Sequence, residues 1–133
     1  MKLTAKLIAL LLLLLVAFAV NAYASLYFAG YLFPRVLPRP YTEMISAAVV
    51  GALAAGLVAA VPLVRLFAQR HWLAGLFIAF PVVVVRASDL VHYAGKNEPR
   101  IMVMSVVEAI VYPTAILACA WLASKHFSSP RAQ

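Results

Sequence analysis

The chain has 133 residues, 66% of them hydrophobic and only 11% charged, with a formal net charge of +7. Soluble domains average about 45–50% apolar and about 25% charged, and a small domain cannot hide this much apolar surface. A soluble fold is therefore excluded, and an all-α integral membrane protein is expected.

A transmembrane helix needs about 20 predominantly apolar residues. Four stretches qualify, at about residues 7–33, 44–64, 72–91 and 101–123. The links between them are short, as between antiparallel neighbours. The expectation is a single membrane domain, residues 1–133, built as a four-transmembrane-helix antiparallel bundle.

The first span has a rival reading. Lys2 and Lys6 precede the leucine run, and Ala22-Tyr23-Ala24 stands before Ser25. That is the pattern of a secretory signal peptide with an A-x-A cleavage site. The apolar character continues through Leu26, Phe28 and Leu32, which favours an uncleaved span. At 1.5 Å per residue it would be about 40 Å long, more than the hydrocarbon core, so it is expected to tilt or project.

Between the first and second spans, Pro34, Pro38 and Pro40 make a stiff link where a helix cannot easily continue. The second span carries rows of small residues: Ala48, Ala52, Gly56 and Ala60 in one, and Ala47, Gly51 and Ala55 in another. Such rows let helix backbones approach closely in lipid. They fit a central packing helix or a docking face for another chain. Pro62, Pro81 and Pro113 fall within the second, third and fourth spans and are expected kinks. The stretch from Arg65 to Trp72 reads as a short basic loop lying on anionic headgroups.

The third span ends in VVVVRASDLVHY, residues 82–93. If it exits near His92 or Tyr93, Arg86 lies about 10 Å inside the boundary. The fourth span, opening near Pro99, returns with Glu108 about 12 Å deep. Arg86 and Glu108 are thus expected to face each other, with Asp89 one turn from Arg86 and able to pair with it. Charged groups inside a span cost about 2.5–3.5 kcal/mol on insertion scales and usually face inward, paired. Asn21 and Ser25 fall at the same level, Glu43 and Ser46 open the second span, and Ser105 and Tyr112 flank Glu108 on its helix face. His92 is read at the edge of this polar layer. The layer is either a structural ion-pair network, a site for a substrate, ion or proton, or a bridge to a partner span. Cys119 reads as a packing residue, and Met102 and Met104 as lipid-facing or gap-filling. Residues 126–133 read as a short flexible tail.

Orientation follows from the basic residues. With the N-terminus inside, Lys2, Lys6, Arg65, Arg70, Lys125 and Arg131 lie on the cytoplasmic side. Arg35, Arg39, Lys96 and Arg100 lie outside. The bias is modest but positive-inside, so both termini are expected in the cytoplasm. Tyr27, Tyr31, Tyr41 and Tyr93 at one interface and Trp72 and Trp121 at the other fit aromatic belts. A bacterial inner membrane is the expected location, with anionic lipid on its cytoplasmic side and no nucleic-acid partner.

Several chemistries find no residues. One cysteine allows no intrachain disulfide and no Cys-x-x-Cys. There is no H-E-x-x-H, G-x-S-x-G or Walker motif, and no histidine pair for haem. Acids are too few for a magnesium or calcium site. No metal, cofactor or catalytic residue is expected. In size and span number the chain resembles the small multidrug transporters, in outline alone: their membrane glutamate lies in the first helix, and the first span here has no acid.

Three functions remain. The first is a non-enzymatic subunit that binds laterally to another membrane protein or to itself, as an accessory, assembly or inhibitory partner. The second is a small transporter or channel component that uses the Arg86/Asp89/Glu108 layer. The third is a membrane enzyme acting on lipid.

Overall fold

In lipid every backbone N–H and C=O must be satisfied within the chain, which drives apolar segments into helices. The computed structural model describes residues 3–29 and 40–127, and each structural statement below concerns these residues. All regular structure among them is helical: α1 (Leu3–Tyr27), α2 (Pro40–Phe67), α3 (His71–Tyr93) and α4 (Pro99–Phe127). Proline opens both α2 and α4, a position where its missing N–H and fixed φ suit the first turn. Three helical segments are long and apolar enough to cross a membrane: Leu3–Tyr27, Tyr41–Tyr93 and Pro99–Phe127. The protein is an integral membrane protein by that criterion.

The expected span boundaries differ from the helices in informative ways. The first expected span, 7–33, overlaps α1, and its last residues, with Pro34 and Pro38, lie outside the described part. The expected basic loop around Arg65–Trp72 shrinks to a three-residue 3₁₀ turn, Ala68–Arg70. Ala68 there adopts φ 26°, in the left-handed region that favours glycine. The His71 ring N–H donates to the Ala68 carbonyl and ties this turn down. Between α3 and α4, Gly95 at φ 82° lets the chain turn, and Lys96 N donates to Tyr93 O at 3.0 Å. Of the tail expected over residues 126–133, His126 and Phe127 lie in α4; residues 128–133 lie outside the described residues. The helices run on through Pro62, Pro81 and Pro113.

The core is made mostly of small side chains. Ala52, Ala55, Ala59 and Leu63 of α2 meet Ala74, Ile78 and Val82 of α3 and Ala115, Ile116 and Ala120 of α4. Leu10, Leu13 and Ala17 bring α1 onto this cluster. Both glycines of α2 mark close approaches. A Cβ on Gly56 would lie 2.8 Å from the Ala115 carbonyl oxygen and 2.9 Å from Cys119 Sγ on α4. A Cβ on Gly51 would lie 2.7 Å from both the backbone and the amide oxygens of Asn21 on α1. Ala48, Gly51, Ala52, Ala55, Gly56 and Ala60 are all buried inside the chain. Within the chain, the two small-residue rows pack against α1 and α4.

Candidate intramembrane site

Four polar side chains form a continuous chain across three helices. Arg86 of α3 donates through Nη1 to Asp89 Oδ2 at 2.8 Å, one helical turn along the same helix. Its Nη2 forms an ion pair with Glu108 Oε2 of α4. Asn21 Nδ2 of α1 donates to Glu108 Oε1 at 3.2 Å. A carboxylate only accepts, so the amide nitrogen must be the end of Asn21 that faces it. Arginine suits the centre, because its planar fork serves two carboxylates at once.

Burial grades across this chain. Glu108 and Asn21 are 3% and 4% exposed, whereas the Arg86 and Asp89 side chains retain 26% and 28%. The cluster holds one cation and two carboxylates, a formal charge of −1 when all are ionised. Ser105 and Tyr112 stand one turn to either side of Glu108 on α4, both fully buried. Their hydroxyls lack hydrogen-bond partners, as do Ser25 Oγ and Asn21 Oδ1. Buried polar atoms without a protein partner are uncommon in folded proteins.

A cavity of about 210 Å³ adjoins the cluster, with Asn21, Arg86 and Glu108 on its wall. The rest of the lining is apolar: Phe18, Ala22 and Leu26 from α1, Val82 and Val85 from α3, and Met104 from α4. The site is thus a polar patch on one side of a hydrophobic pocket between α1, α3 and α4.

One expected member stands apart. His92 is exposed near the end of α3, with its Nε2 3.0 Å from Lys96 Nζ and its ring edge-on to Tyr93. It belongs to the helix terminus and not to the layer, because one further turn of helix carries it out of the cluster. Among the described residues no group of three His, Cys, Asp or Glu side chains comes together in a way that could hold a metal ion.

The direct bond from Asn21 to Glu108 and the pocket itself lay beyond sequence reasoning. A usable signal for the first existed: Ala17, Asn21 and Ser25 recur every four residues on α1, along one helix face. The pocket had no signal, being a space between helices.

At the opposite end of the molecule basic groups lie over aromatic rings. Arg65 sits 5.4 Å from the Phe127 ring centre and Lys125 3.7 Å from that of Trp121. Long cations resting on rings in this way are common where a helix meets headgroups.

No family model, characterised protein or solved structure matches the chain.

Proposed function

We propose that the protein is a non-enzymatic membrane protein that binds a small ligand between its helices, as a small transporter or a component of one. The carrying observation is the 210 Å³ cavity with Asn21, Arg86 and Glu108 on its wall. The recess is open at the surface, with Phe18, Leu26 and Val85 of its lining exposed, so a guest can reach the ion pair.

The proposed setting is a bundle of four spans with alternating directions, both termini cytoplasmic, in a bacterial inner membrane. The 53-residue run Tyr41–Tyr93 has more than twice the length a span needs. Its 3₁₀ turn lies near the middle, and a Cβ on Gly75 would lie 3.9 Å from Leu63 across that turn. Leu10 shares a hollow with Phe67 and Ala74, while Asn21 meets Gly51 and Glu108. Arg65 meets Phe127. These pairings agree with alternating directions: α1 with α2, α1 with α4 and α2 with α3 pair antiparallel, while α2 with α4 and α1 with α3 pair parallel. Four spans make a thin pathway, so a second copy is part of the proposal for a transport role.

Cysteine accessibility tests the reading without knowledge of the ligand. On a Cys119→Ala background, Ala22→Cys places a thiol on the cavity wall and Leu15→Cys places one on the exposed face of α1. A small charged methanethiosulfonate is expected to label position 22 and not position 15 in a bilayer. Equal inertness at both positions would sink the ligand reading in favour of a dry structural clamp.

A second reading, lateral docking on another membrane protein, has its own observation. A shallow apolar groove of about 260 Å³ lies between α2 and α4, lined by Val49, Leu53, Ile110, Val111, Thr114 and Ala118 among others. It lies outside the buried small-residue rows, so a photo-crosslinker for this reading belongs at Leu53.

A further inference from the structure

We propose that the hollow beside Arg70 seats one anionic phospholipid, its phosphate between Arg70 and Lys6 and an acyl chain against the apolar wall. The site lies at the other end of the helices from Glu108 and stands independently of the small-ligand reading.

Three elements build the wall. Leu10 of α1, Phe67 at the end of α2, and Leu73, Ala74 and Phe77 of α3 line a shallow hollow, and Arg70 is the one charged residue of its lining. Leu73 and Phe77 are 46% and 47% exposed, so the hollow opens sideways, onto the hydrocarbon that surrounds a membrane helix. A hydrocarbon wall with a cation at one edge matches the make-up of a lipid, apolar along its length and charged at its head.

Helix direction brings a second cation to the same edge. Leu10 shares the hollow with Ala74, and Asn21 shares the cavity near Glu108 with Arg86, so α1 and α3 run the same way. Lys6 precedes Leu10 by four residues on one face of α1, and Arg70 precedes Ala74 by four. Each therefore stands about one turn, or about 6 Å, from those wall residues in the same direction. Side chains lean toward the N-terminus of their helix, which carries the Lys6 ammonium further outward, to the level of a headgroup.

No carboxylate competes for these two cations. Glu43 opens α2, Asp89 and Glu108 belong to the polar layer, and Glu98 lies between α3 and α4. Among the described residues the ion pairs are those of Arg86 alone. Arg65 and Lys125, also at this end, rest on rings of α4. A phosphate between Arg70 and Lys6 thus meets donors that the fold leaves unused. Each basic residue near an anionic head is worth about fivefold in affinity. A zwitterionic head gains less, because it brings its own cation.

The test uses the full-length protein in neutral detergent, with bound lipid counted by native mass spectrometry. One dioleoyl phosphatidylglycerol per chain is expected to be retained, at least about tenfold more tightly than dioleoyl phosphatidylcholine. Inorganic phosphate and glycerophosphoglycerol, the head without its chains, are expected not to displace it. Arg70→Gln and Lys6→Gln are each expected to weaken phosphatidylglycerol by about fivefold and to leave phosphatidylcholine unchanged, whereas Arg65→Gln, on the α4 side, weakens it by less than about twofold. Circular dichroism reports the fold, and Lys6→Gln carries the test if Arg70→Gln disturbs the turn. Equal retention of the two lipids overturns the proposal, as does phosphatidylglycerol binding that neither Arg70→Gln nor Lys6→Gln weakens. Displacement by phosphate or by the chainless head makes this an anion site and not a lipid site. An equal loss in Arg65→Gln spreads the attraction over the whole basic end, and the hollow is then not the site.

Discussion

The same helices pack in two unlike ways along their length. At one level, α2 lays Ala52, Ala55, Ala59 and Leu63 against alanines and isoleucines of α3 and α4, with Gly56 close to the backbone of Ala115. Every group there is apolar or already bonded within its helix, and association rests on close approach and dispersion. At the other level, α3 and α4 are joined through Arg86 and Glu108, Asn21 reaches in from α1, several oxygens lack partners, and a cavity lies alongside. The first level is how lipid-embedded helices cohere when nothing else is asked of them. The second carries charge that packing alone would never select. Substitutions at each level distinguish the two kinds of adhesion.

The largest effect is expected at the charged level. Arg86→Gln strands Glu108, only 3% exposed, without its counter-charge. Breaking a buried pair costs about 3–5 kcal/mol in soluble proteins, and a loss of that order is expected in denaturant titrations in mixed micelles. Adding Glu108→Gln is expected to recover a large part, with a coupling of at least about 1 kcal/mol. A purely additive double variant would mean that the pair contributes no mutual stabilisation, and the contrast between the two levels would collapse.

That pair is also where the sequence was most legible. Counting inward from each span end put Arg86 and Glu108 at one depth, because helical rise is constant and a charge in lipid must find a partner. The i, i+3 spacing of Arg86 and Asp89 was equally readable. The apolar lengths made helices certain, since lipid leaves the backbone no other way to satisfy itself. Other features were not readable, for physical reasons. A row of small residues states that something comes close but not what. Gly51 faces α1 and Gly56 faces α4, a division set by the angular position of neighbouring helices. Ala68 at positive φ carries no residue-type signal, so the tight turn read as a longer basic loop. His92, read at the edge of the layer, lies one turn beyond Asp89, and at the end of α3 its ring meets Lys96 instead.

The glycines provide the next comparison. Gly56→Ala forces a methyl against a carbonyl oxygen at 2.8 Å and a sulfur at 2.9 Å. Overpacking costs about 1–3 kcal/mol, against which better helix propensity returns up to about 1 kcal/mol. Gly51→Ala meets the Asn21 oxygens of α1 at 2.7 Å and crowds the Ser25 hydroxyl more closely still, yet is expected to cost less. α1 has four buried residues to hold it, whereas α4 has eight, so α1 yields more readily, and the Ser25 hydroxyl is the end of a side chain that can rotate away. Thermal unfolding followed by circular dichroism in detergent orders the two. If Gly51→Ala proves the costlier, α1 is anchored more firmly than its burial implies, and the polar contacts of Asn21 are the place to look for the anchor.

The smallest expected effect is the most discriminating about the unpartnered oxygens. Tyr112 is fully buried and its hydroxyl has no hydrogen-bond partner. Removing a hydroxyl that bonds to nothing relieves a desolvation penalty, whereas removing one that bonds to a guest or an ordered water loses about 1 kcal/mol. Tyr112→Phe is expected to raise stability by about 1 kcal/mol, because the penalty goes and the ring, which does the packing, stays. A loss would show the hydroxyl already bonded in the resting protein. The buried oxygens around Glu108 would then be served by resident water. A gain would set this hydroxyl, buried at a cost, apart from the alanine packing of α2, which rests on close approach alone.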